Sequence, residues 1–332
     1  MKIQINTRKL MAAVLLLLIT VHVQARELTI YTYSSFTTSW GPGPALKEMF
    51  EAQCDCEVNF TSSDDGVSLL NRLRLEGDTT RADVIVGLDD LLMPQARRLG
   101  IVQAHDLTLS DWPLRESLNW QDSHFIPFDY GYFAFIYDSR KVSQPATSLQ
   151  ALIDSDASII YQDPRTSTPG QGLMHWMQAV YTDDAAQAWQ RLAEHTVTVT
   201  KGWSEAYGMF LQGEADYVLS YSTSPAYHQL VEETDAYQAT RFAEGHTAQI
   251  EVAALSAYSR EPELGQAFLA FLLSKEAQAL LPQTNWMLPV RSDIDLPAAF
   301  TDAEREVIGY SPDEVDAQRR EWITIWRNAV SR

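Results

Sequence analysis

Basic residues are scarce in this sequence. Its 332 residues include 25 Lys and Arg against 44 Asp and Glu, which gives a formal net charge of −19. Proteins that bind nucleic acid present a basic face, and docking on anionic lipid also needs one. The charge therefore argues against a nucleic-acid partner and against a lipid surface. Aromatic residues make up 11% of the chain and are spread along it, which argues against disorder.

Catalytic and metal-binding motifs are missing as well. The sequence contains no G-x-S-x-G, H-E-x-x-H, G-x-x-x-x-G-K-S/T or G-x-G-x-x-G motif. Its seven histidines occur singly, which is more typical of surface or packing residues than of metal ligands. We therefore expect a protein that is not an enzyme and that holds no metal and no cofactor.

Long apolar runs are absent after the first 25 residues. Within those residues, Lys2, Arg8 and Lys9 accompany about 14 apolar residues that begin at Leu10, and the segment ends in a small-residue cleavage site, VQA. A membrane anchor is the alternative, but a spanning helix needs about 20 residues. We predict a secretory signal peptide over residues 1–25. The residue directly after the cleavage site is Arg26 and not a cysteine, so a lipid anchor is not expected.

Cysteine is almost absent, since Cys54 and Cys56 are the only two. Side chains at positions i and i+2 of an extended segment lie on one face, at the limit of disulfide geometry. In an oxidising compartment a local disulfide and a pair of thiols both fit this spacing. Without a histidine nearby, the pair is a weak candidate for a metal site.

The chain after residue 25 alternates between strand-like and helix-like segments. Apolar runs such as ADVIVGL are typical of buried parallel strands, and amphipathic runs such as GVSLLNRLRLEG are typical of helices. Two long β-rich segments, FIPFDYGYFAFIYDS and AQIEVAALSAYS, interrupt this alternation. We predict two lobes of open α/β sheet, joined by two hinge strands near 129–137 and 251–256, with a ligand cleft between the lobes. Lobe 1 comprises residues 26–130 and 254–332, and lobe 2 comprises residues 131–253.

Aromatic and hydroxyl side chains follow several of the predicted strands. Ligands of open α/β sheets lie beyond the carboxyl ends of strands, and aromatic faces suit a flat or cationic ligand. Ser167 and Thr168 precede a predicted helix, where an anion such as phosphate and a plain helix cap are both compatible with the sequence. The candidate ligand-binding residues at these positions are Tyr33, Ser167, Thr168, Trp203, Tyr221, Ser222, Thr223, Ser224 and Trp286.

Seven segments carry a family resemblance. They are YTYSSFTTSWGPGP, DDGVSLLNRLRLEG, FDYGYFAFIYD, YQDPRTSTPG, VTVTKGWSEAYG, LSYSTSPAYH and NWMLPV. In matching order, they resemble the periplasmic thiamine-binding proteins of bacterial ABC importers, over nearly the whole chain after residue 25. The resemblance implies a type II periplasmic binding protein fold and capture of thiamine and its phosphate esters. It also implies delivery to a membrane permease driven by a separate ATPase, and we expect a monomer in the periplasm.

The resemblance also assigns roles to residues. Asp65 and Gly66 match the ligand loop of the first lobe, and Ser167 with Thr168 matches the pair near the phosphate end of the ligand. Trp203 and the run 221–224 match the other contacts of the second lobe, while Tyr33 and Trp286 match the aromatics that flank the rings.

Two assignments within this resemblance need comment. Asp65 is the candidate carboxylate opposite the cationic thiazolium, and a helix cap before Val67 is the alternative role. Leu288 departs from the aromatic residue of the family, so a peripheral contact is not carried over there.

Two other functions share this architecture. Ferric-ion-binding proteins typically hold iron with adjacent tyrosines, but here Tyr221 is followed by Ser222 and no Tyr-Tyr pair occurs. Thiaminase I needs a nucleophilic cysteine in the cleft, whereas Cys54 and Cys56 lie in an early segment. Both alternatives are therefore less favoured than a thiamine-binding protein.

Overall fold

A computed structural model describes residues 26–331 of the chain. The predicted signal peptide, residues 1–25, lies outside the described residues. Within 26–331 no helix combines the length and the apolar character that crossing a bilayer requires.

The first unit alternates strands and helices, as predicted. Its elements are β1 (Arg26–Tyr33), α1 (Gly43–Cys54), β2 (Cys56–Ser63), α2 (Gly66–Glu76), β3 (Val84–Asp89), α3 (Met93–Arg98) and β4 (Val102–Gln103). Strand β1 pairs in parallel with β2 on one side and with β3 on the other. All six residues of β3 are buried, which explains its uninterrupted apolar sequence.

The rest of the chain contains seven strands and eight helices among the described residues. They are β5 (Phe125–Asp138), α4 (Leu149–Ile153), β6 (Ile159–Gln162), α5 (Thr168–Tyr181), α6 (Ala185–Glu194), β7 (Thr196–Thr200), α7 (Trp203–Leu211), β8 (Tyr217–Tyr221), α8 (Ser224–Leu230), β9 (Tyr237–Ala239), β10 (Ala248–Ser256), α9 (Pro262–Leu272), α10 (Lys275–Thr284), β11 (Leu288–Pro289) and α11 (Pro312–Val330).

The strands form one curled sheet in the order β2-β1-β3-β10-β5-β8-β6-β7. Strand β5 changes partner along its length: up to Tyr132 it pairs with β10, and from Phe133 it pairs with β8 and β9. Strand β10 runs antiparallel to both β3 and β5. The sheet therefore divides into two lobes at the middle of β5, lobe 1 with β1 to β3 and β10, and lobe 2 with β6 to β9.

Each lobe has its own hydrophobic core. The core of lobe 1 contains Phe36, Phe128 and Phe268, all fully buried. The core of lobe 2 is built around Trp176 and Trp189, which are also buried. Because the two cores are built from different residues, each lobe gains hydrophobic stabilisation separately.

The structure differs from the predicted lobe division at the C-terminal helix. Residues 254–332 were assigned to lobe 1, but Trp322 and Trp326 of α11 are buried in the core of lobe 2. The Trp326 indole N–H donates to the Tyr161 hydroxyl, 3.2 Å away. Helix α11 also reaches lobe 1, because the Arg319 guanidinium donates to the Leu91 carbonyl. The assignment was wrong because an apolar face in the sequence predicts that a helix packs against a core, but does not predict which of two cores it packs against.

The second crossing between the lobes also lies earlier than predicted. Strand β10 pairs with lobe 1 strands from its first residue, Ala248, so the chain enters lobe 1 near Thr247. The predicted hinge was 251–256, and the predicted end of lobe 2 was residue 253. The first crossing, between Tyr132 and Phe133, falls inside the predicted hinge 129–137.

Of the two alternatives for the cysteines, the structure shows the disulfide. Cys54 ends α1 and Cys56 begins β2, and their sulfur atoms are bonded. The residue between them, Asp55, has a φ of 47° in the left-handed region. This conformation turns the chain sharply enough to bring two side chains together that are two positions apart.

Candidate functional site

A cavity of about 340 Å³ lies between the two lobes. Its volume is within the range of small-molecule sites. Lobe 1 supplies one wall, formed by Tyr33, Ser35, Trp40, Asp64, Asp65, Glu251, Asn285, Trp286 and Met287. Lobe 2 supplies the other wall, formed by Trp203, Ser204, Tyr207, Gly208, Leu211, Tyr221, Thr223, Ser224 and Tyr227. Residues that are far apart in the sequence therefore meet in the predicted cleft.

Aromatic rings dominate the cavity wall of lobe 2. The rings of Trp203 and Tyr207 are stacked, with centroids 5.0 Å apart and planes 22° apart. The indole N–H of Trp203 donates to the Ser220 hydroxyl at 2.8 Å, which fixes the orientation of the ring. Across the cleft, Trp40 lies 6.4 Å from Trp203, centroid to centroid. A flat ligand in this space would meet preoriented aromatic faces.

Trp286 enters the cavity from a strained backbone position. It has a φ of 58°, in the left-handed region, directly after the C-cap of α10. Glycine is the usual residue there, because a side chain at positive φ costs about 1–2 kcal/mol. The indole packs edge-on against Tyr227 of lobe 2 at 5.2 Å. The strain is typical of functional sites, where surrounding contacts maintain an unfavourable conformation.

Asp65 bridges the two lobes. Its Oδ2 accepts from the Ser167 hydroxyl at 2.7 Å and from the backbone N–H of Trp203 at 3.4 Å. Its Oδ1 accepts from the N–H groups of Gly66 at 2.8 Å and Thr168 at 3.4 Å. Helices α5 and α7 begin at Thr168 and Trp203, so the carboxylate lies at two helix N-termini, where negative charge is stabilised.

The environment of Asp65 has opposing effects on its charge. Burial raises the pKa of the Asp65 carboxyl, while the hydrogen bonds from Ser167, Gly66, Thr168 and Trp203 partly offset that rise. Asp65 is also the N-cap of α2, which is the alternative role considered for it. The structure thus brings Asp65 together with the two hydroxyl residues predicted to face a phosphate.

The predicted site residues divide into two groups. Those that line the cavity are Tyr33, Asp65, Trp203, Tyr221, Thr223, Ser224 and Trp286. Those that lie outside the lining are Gly66, Ser167, Thr168 and Ser222. The Ser222 hydroxyl donates to the Ala303 carbonyl at 2.6 Å and is therefore already engaged within the protein.

Gly66 has a close-packing role at the contact between lobes. A Cβ atom at this position would lie 2.5 Å from the Thr168 hydroxyl oxygen and 2.7 Å from the Gly87 carbonyl oxygen. Only a residue without a side chain allows Thr168 of lobe 2 to approach lobe 1 so closely.

A buried polar network lies under the cavity, and it was not predicted from the sequence. The Tyr33 hydroxyl donates to Glu251 at 2.8 Å, and the Gln249 side-chain amide donates to the other oxygen of Glu251 at 2.8 Å. Asn285 donates to Asp129 at 2.6 Å. The signal in the sequence is an acid inside an otherwise apolar strand, since Glu251 follows Ile250 in β10 and Asp129 follows Phe128 in β5.

The carboxyls of this network bind protons more tightly than usual. Burial raises the pKa of Asp129 to about 8, and burial together with Asp129 raises the pKa of Glu251 well above its ordinary value. Burial and the neighbouring Glu251 also raise the pKa of the Tyr33 hydroxyl. A positive charge brought into the cavity would favour the ionised forms of these acids.

A second depression, of about 630 Å³, lies outside the cleft. It is lined by residues between His105 and Ser123, all from one segment of lobe 1. Among residues 26–331, no group of three or more His, Cys, Asp or Glu side chains is arranged to hold a metal ion.

Comparison with known proteins gives the class. Residues 37–279 match the family model for bacterial extracellular solute-binding proteins, and the chain belongs to this family. The fold is that of type II periplasmic binding proteins, as predicted, and the chain has a solute-binding role.

Particular relatives are more similar still. The chain is 53% identical to the thiamine-binding periplasmic protein of Escherichia coli (strain K12), over 96% of this chain and 98% of that one. A solved structure of a periplasmic thiamin binding protein superposes with a TM-score of 0.90 at 52% identity, covering 93% of this chain and 97% of the other. The resemblance described from the sequence is thereby confirmed.

More distant structures share the fold alone. A ferric binding protein from Campylobacter jejuni superposes with a TM-score of 0.76 at 18% identity, over 91% of this chain and 99% of the other. The relatives with about 50% identity are named thiamine-binding proteins, and they favour the main prediction over the iron-binding alternative.

Proposed function

We propose that this protein captures thiamine and its phosphate esters in the periplasm and delivers them to the permease of an ABC importer with a separate ATPase. The observation that carries the proposal is a cavity that combines stacked aromatic walls with buried carboxyls. The names of the relatives support the same ligand. The proposed role requires no cofactor and no enzymatic step, and a monomer suffices for it.

The chemistry of thiamine suits the two kinds of surface in the cavity. Thiamine has two flat rings, and its thiazolium ring carries a permanent positive charge. The faces of Trp203 and Tyr207 offer stacking, and each cation–π contact contributes about 0.5–2 kcal/mol. Glu251 lines the cavity and supplies a negative or neutral carboxyl according to its protonation.

The phosphate group of an ester would be bound at the N-termini of α5 and α7. The backbone N–H groups of Thr168 and Trp203 and the Ser167 hydroxyl are donors suited to phosphate oxygens. These donors contact Asp65 in the structure. We infer that a phosphate ester shares or takes over donors that Asp65 otherwise holds.

Titration of the purified protein with thiamine tests the proposal. We expect calorimetric heat and a change in the fluorescence of the cavity tryptophans on binding. Trp203→Ala should weaken binding, whereas Trp112→Ala, at a tryptophan outside the cavity, should bind as the wild type does. The absence of both heat and fluorescence change in the wild type would contradict the proposal.

The iron-binding alternative has its own control in this experiment. Ferric citrate is titrated under the same conditions as thiamine. Preferential binding of the ferric ion, with no response to thiamine, would favour a ferric-ion-binding protein instead.

A further inference from the structure

Three acids lie side by side on neighbouring strands beneath the cavity. In the strand register, Glu251 of β10 is directly opposite Asp89 of β3 and also directly opposite Asp129 of β5. Side chains that are directly opposite in a sheet point to the same side of it, with Cβ atoms about 4.5–5.5 Å apart. We call Asp89, Asp129 and Glu251 the acid cluster.

The acid cluster is almost closed to solvent. Asp129 is 0% exposed, Asp89 is 1% exposed and Glu251 is 8% exposed. Oxygen Oδ1 of Asp129 has no hydrogen-bond partner although it is buried. An unpartnered buried carboxylate oxygen is costly, so this atom is a candidate to carry a proton.

The charged and titratable groups around the cluster come from several elements. Asp65 precedes α2, Asp90 follows β3, Tyr33 lies on β1, Tyr221 lies on β8, and Arg319 lies on α11. Arg319 is the cation that acts on Asp89. Among residues 26–331, no Lys or Arg nitrogen lies within 4.0 Å of a carboxylate oxygen of the cluster.

These surroundings leave a deficit of positive charge. Three adjacent carboxylates cannot all ionise in a dry environment without opposite charges close by, because burial and mutual repulsion both favour the protonated form. Protons retained by the cluster relieve the repulsion. A cation that enters the cavity next to Glu251 would relieve it equally well.

We propose that the acid cluster selects a cationic ligand by exchanging a proton for the ligand's positive charge. The neutral carboxyl of the cluster loses its proton to the solvent, and the resulting carboxylate faces the bound cation. Glu251 is the residue of the cluster that lines the cavity, and Asp89 and Asp129 act through it as positioning residues. This inference rests on the proposed function, which supplies a ligand with a permanent charge.

The exchange fixes the sign of the pH dependence. Burial raises the pKa of Asp89 and of Asp129 to about 8 in the free protein, and a bound cation lowers the pKa of the cluster. Between the pKa of the cluster in the complex and its higher pKa in the free protein, the complex then holds fewer protons than the free protein. Affinity for thiamine therefore rises with pH over this range, by up to about tenfold per pH unit for each proton released.

Calorimetry in two buffers measures the exchange directly. Thiamine is titrated into the wild type at pH 7 in PIPES and in Tris, whose heats of ionisation differ. We expect a difference between the two binding enthalpies that corresponds to release of about one proton. Glu251→Gln should abolish most of this difference and flatten the dependence of Kd on pH between 6 and 8.

Two further variants keep the inference testable. Glu304→Gln is the matched control, because Glu304 also accepts hydrogen bonds from tyrosine hydroxyls but lies outside the cavity. It should release as many protons as the wild type. Asp129→Asn should reduce proton release as well, and it serves as the test if thermal unfolding shows that Glu251→Gln does not fold.

The outcomes separate this inference from the proposed function. Thiamine binding by the wild type with equal enthalpies in both buffers would overturn the proton exchange and leave the proposed function intact. Proton release that is unchanged in both Glu251→Gln and Asp129→Asn would also overturn it. No thiamine binding by the wild type would overturn the proposed function itself.

Discussion

Replacing Asp65 by Asn tests how the protein treats phosphate esters. The substitution keeps the size of the side chain and one acceptor oxygen but removes the negative charge at the N-termini of α5 and α7. A phosphate group bound by the same donors would compete with the Asp65 carboxylate, whose oxygens lie 2.7 Å from the Ser167 hydroxyl and 3.4 Å from the Trp203 N–H. We therefore expect Asp65→Asn to favour thiamine monophosphate over thiamine.

The size of the effect follows from the geometry. A phosphate oxygen that shares these donors would lie roughly 4 Å from the carboxylate, where two unit negative charges repel by about 4 kcal/mol at an effective dielectric constant of about 20. Rotation of the Asp65 side chain and its raised pKa relieve part of this repulsion. We expect Asp65→Asn to improve the affinity for thiamine monophosphate, relative to thiamine, by roughly 10- to 100-fold.

Calorimetric titration of both ligands into both proteins, in one buffer at pH 7, gives the required ratio. Ser167→Ala combined with Thr168→Ala is the companion variant, and it should weaken binding of the phosphate esters more than binding of thiamine. If Asp65→Asn instead weakens thiamine monophosphate more than thiamine, Asp65 assists the phosphate and the reasoning about competition is wrong.

Three further predictions concern the cavity wall, the contact between the lobes and the buried histidines. Trp203→Ala removes the face stacked on Tyr207 and should weaken thiamine and both of its phosphate esters by about 10- to 100-fold in calorimetry; a loss confined to the esters would contradict this. Gly66→Ala places a Cβ atom 2.5 Å from the Thr168 hydroxyl oxygen and should increase the radius of gyration in small-angle scattering with thiamine present; an unchanged radius would refute the steric argument. Burial lowers the pKa of His175 and of His246 to about 4. Their contribution to the free energy of unfolding is therefore complete above pH 6.5, the approximate pKa of histidine in the unfolded chain. It is lost as the pH falls from about 6.5 to about 4. Urea unfolding should show a loss of about 3 kcal/mol per histidine over that range, and equal stability of the wild type and His246→Asn at every pH would contradict it.

Local elements were predictable where the sequence pattern is itself the physical cause. The apolar run of β3 is buried on both faces, and the S-P-D-E segment that begins at Ser311 forms the capping box of α11. The lobe joined by α11 was not predictable, because the apolar face that contains Trp322 fits any core of suitable shape. The spacing of Cys54 and Cys56 was equally compatible with a disulfide and with a pair of thiols. The left-handed backbone of Asp55, which brings the two side chains together, cannot be inferred from the spacing.

The candidate site was predictable where it depends on strand ends. Tyr33 is the last residue of β1 and Trp203 lies three residues after the end of β7, and the rule for open α/β sheets is enough to place them at a cleft. The pairing of Glu251 with Asp129 depends on the register of two strands more than a hundred residues apart, which no local pattern contains. The engagement of Ser167 by Asp65 depends on how the two lobes meet, so it too is a property of the tertiary structure.

The bond between Cys54 and Cys56 also makes the molecule convenient for spectroscopy. Because neither native cysteine is a free thiol, a maleimide or nitroxide label would attach only at cysteines that are introduced. Leu75 on α2 and Val197 on β7 are exposed and belong to different lobes. With nitroxide labels at these two positions, double electron–electron resonance would measure the distance between the lobes with and without thiamine, and so report how one lobe moves relative to the other.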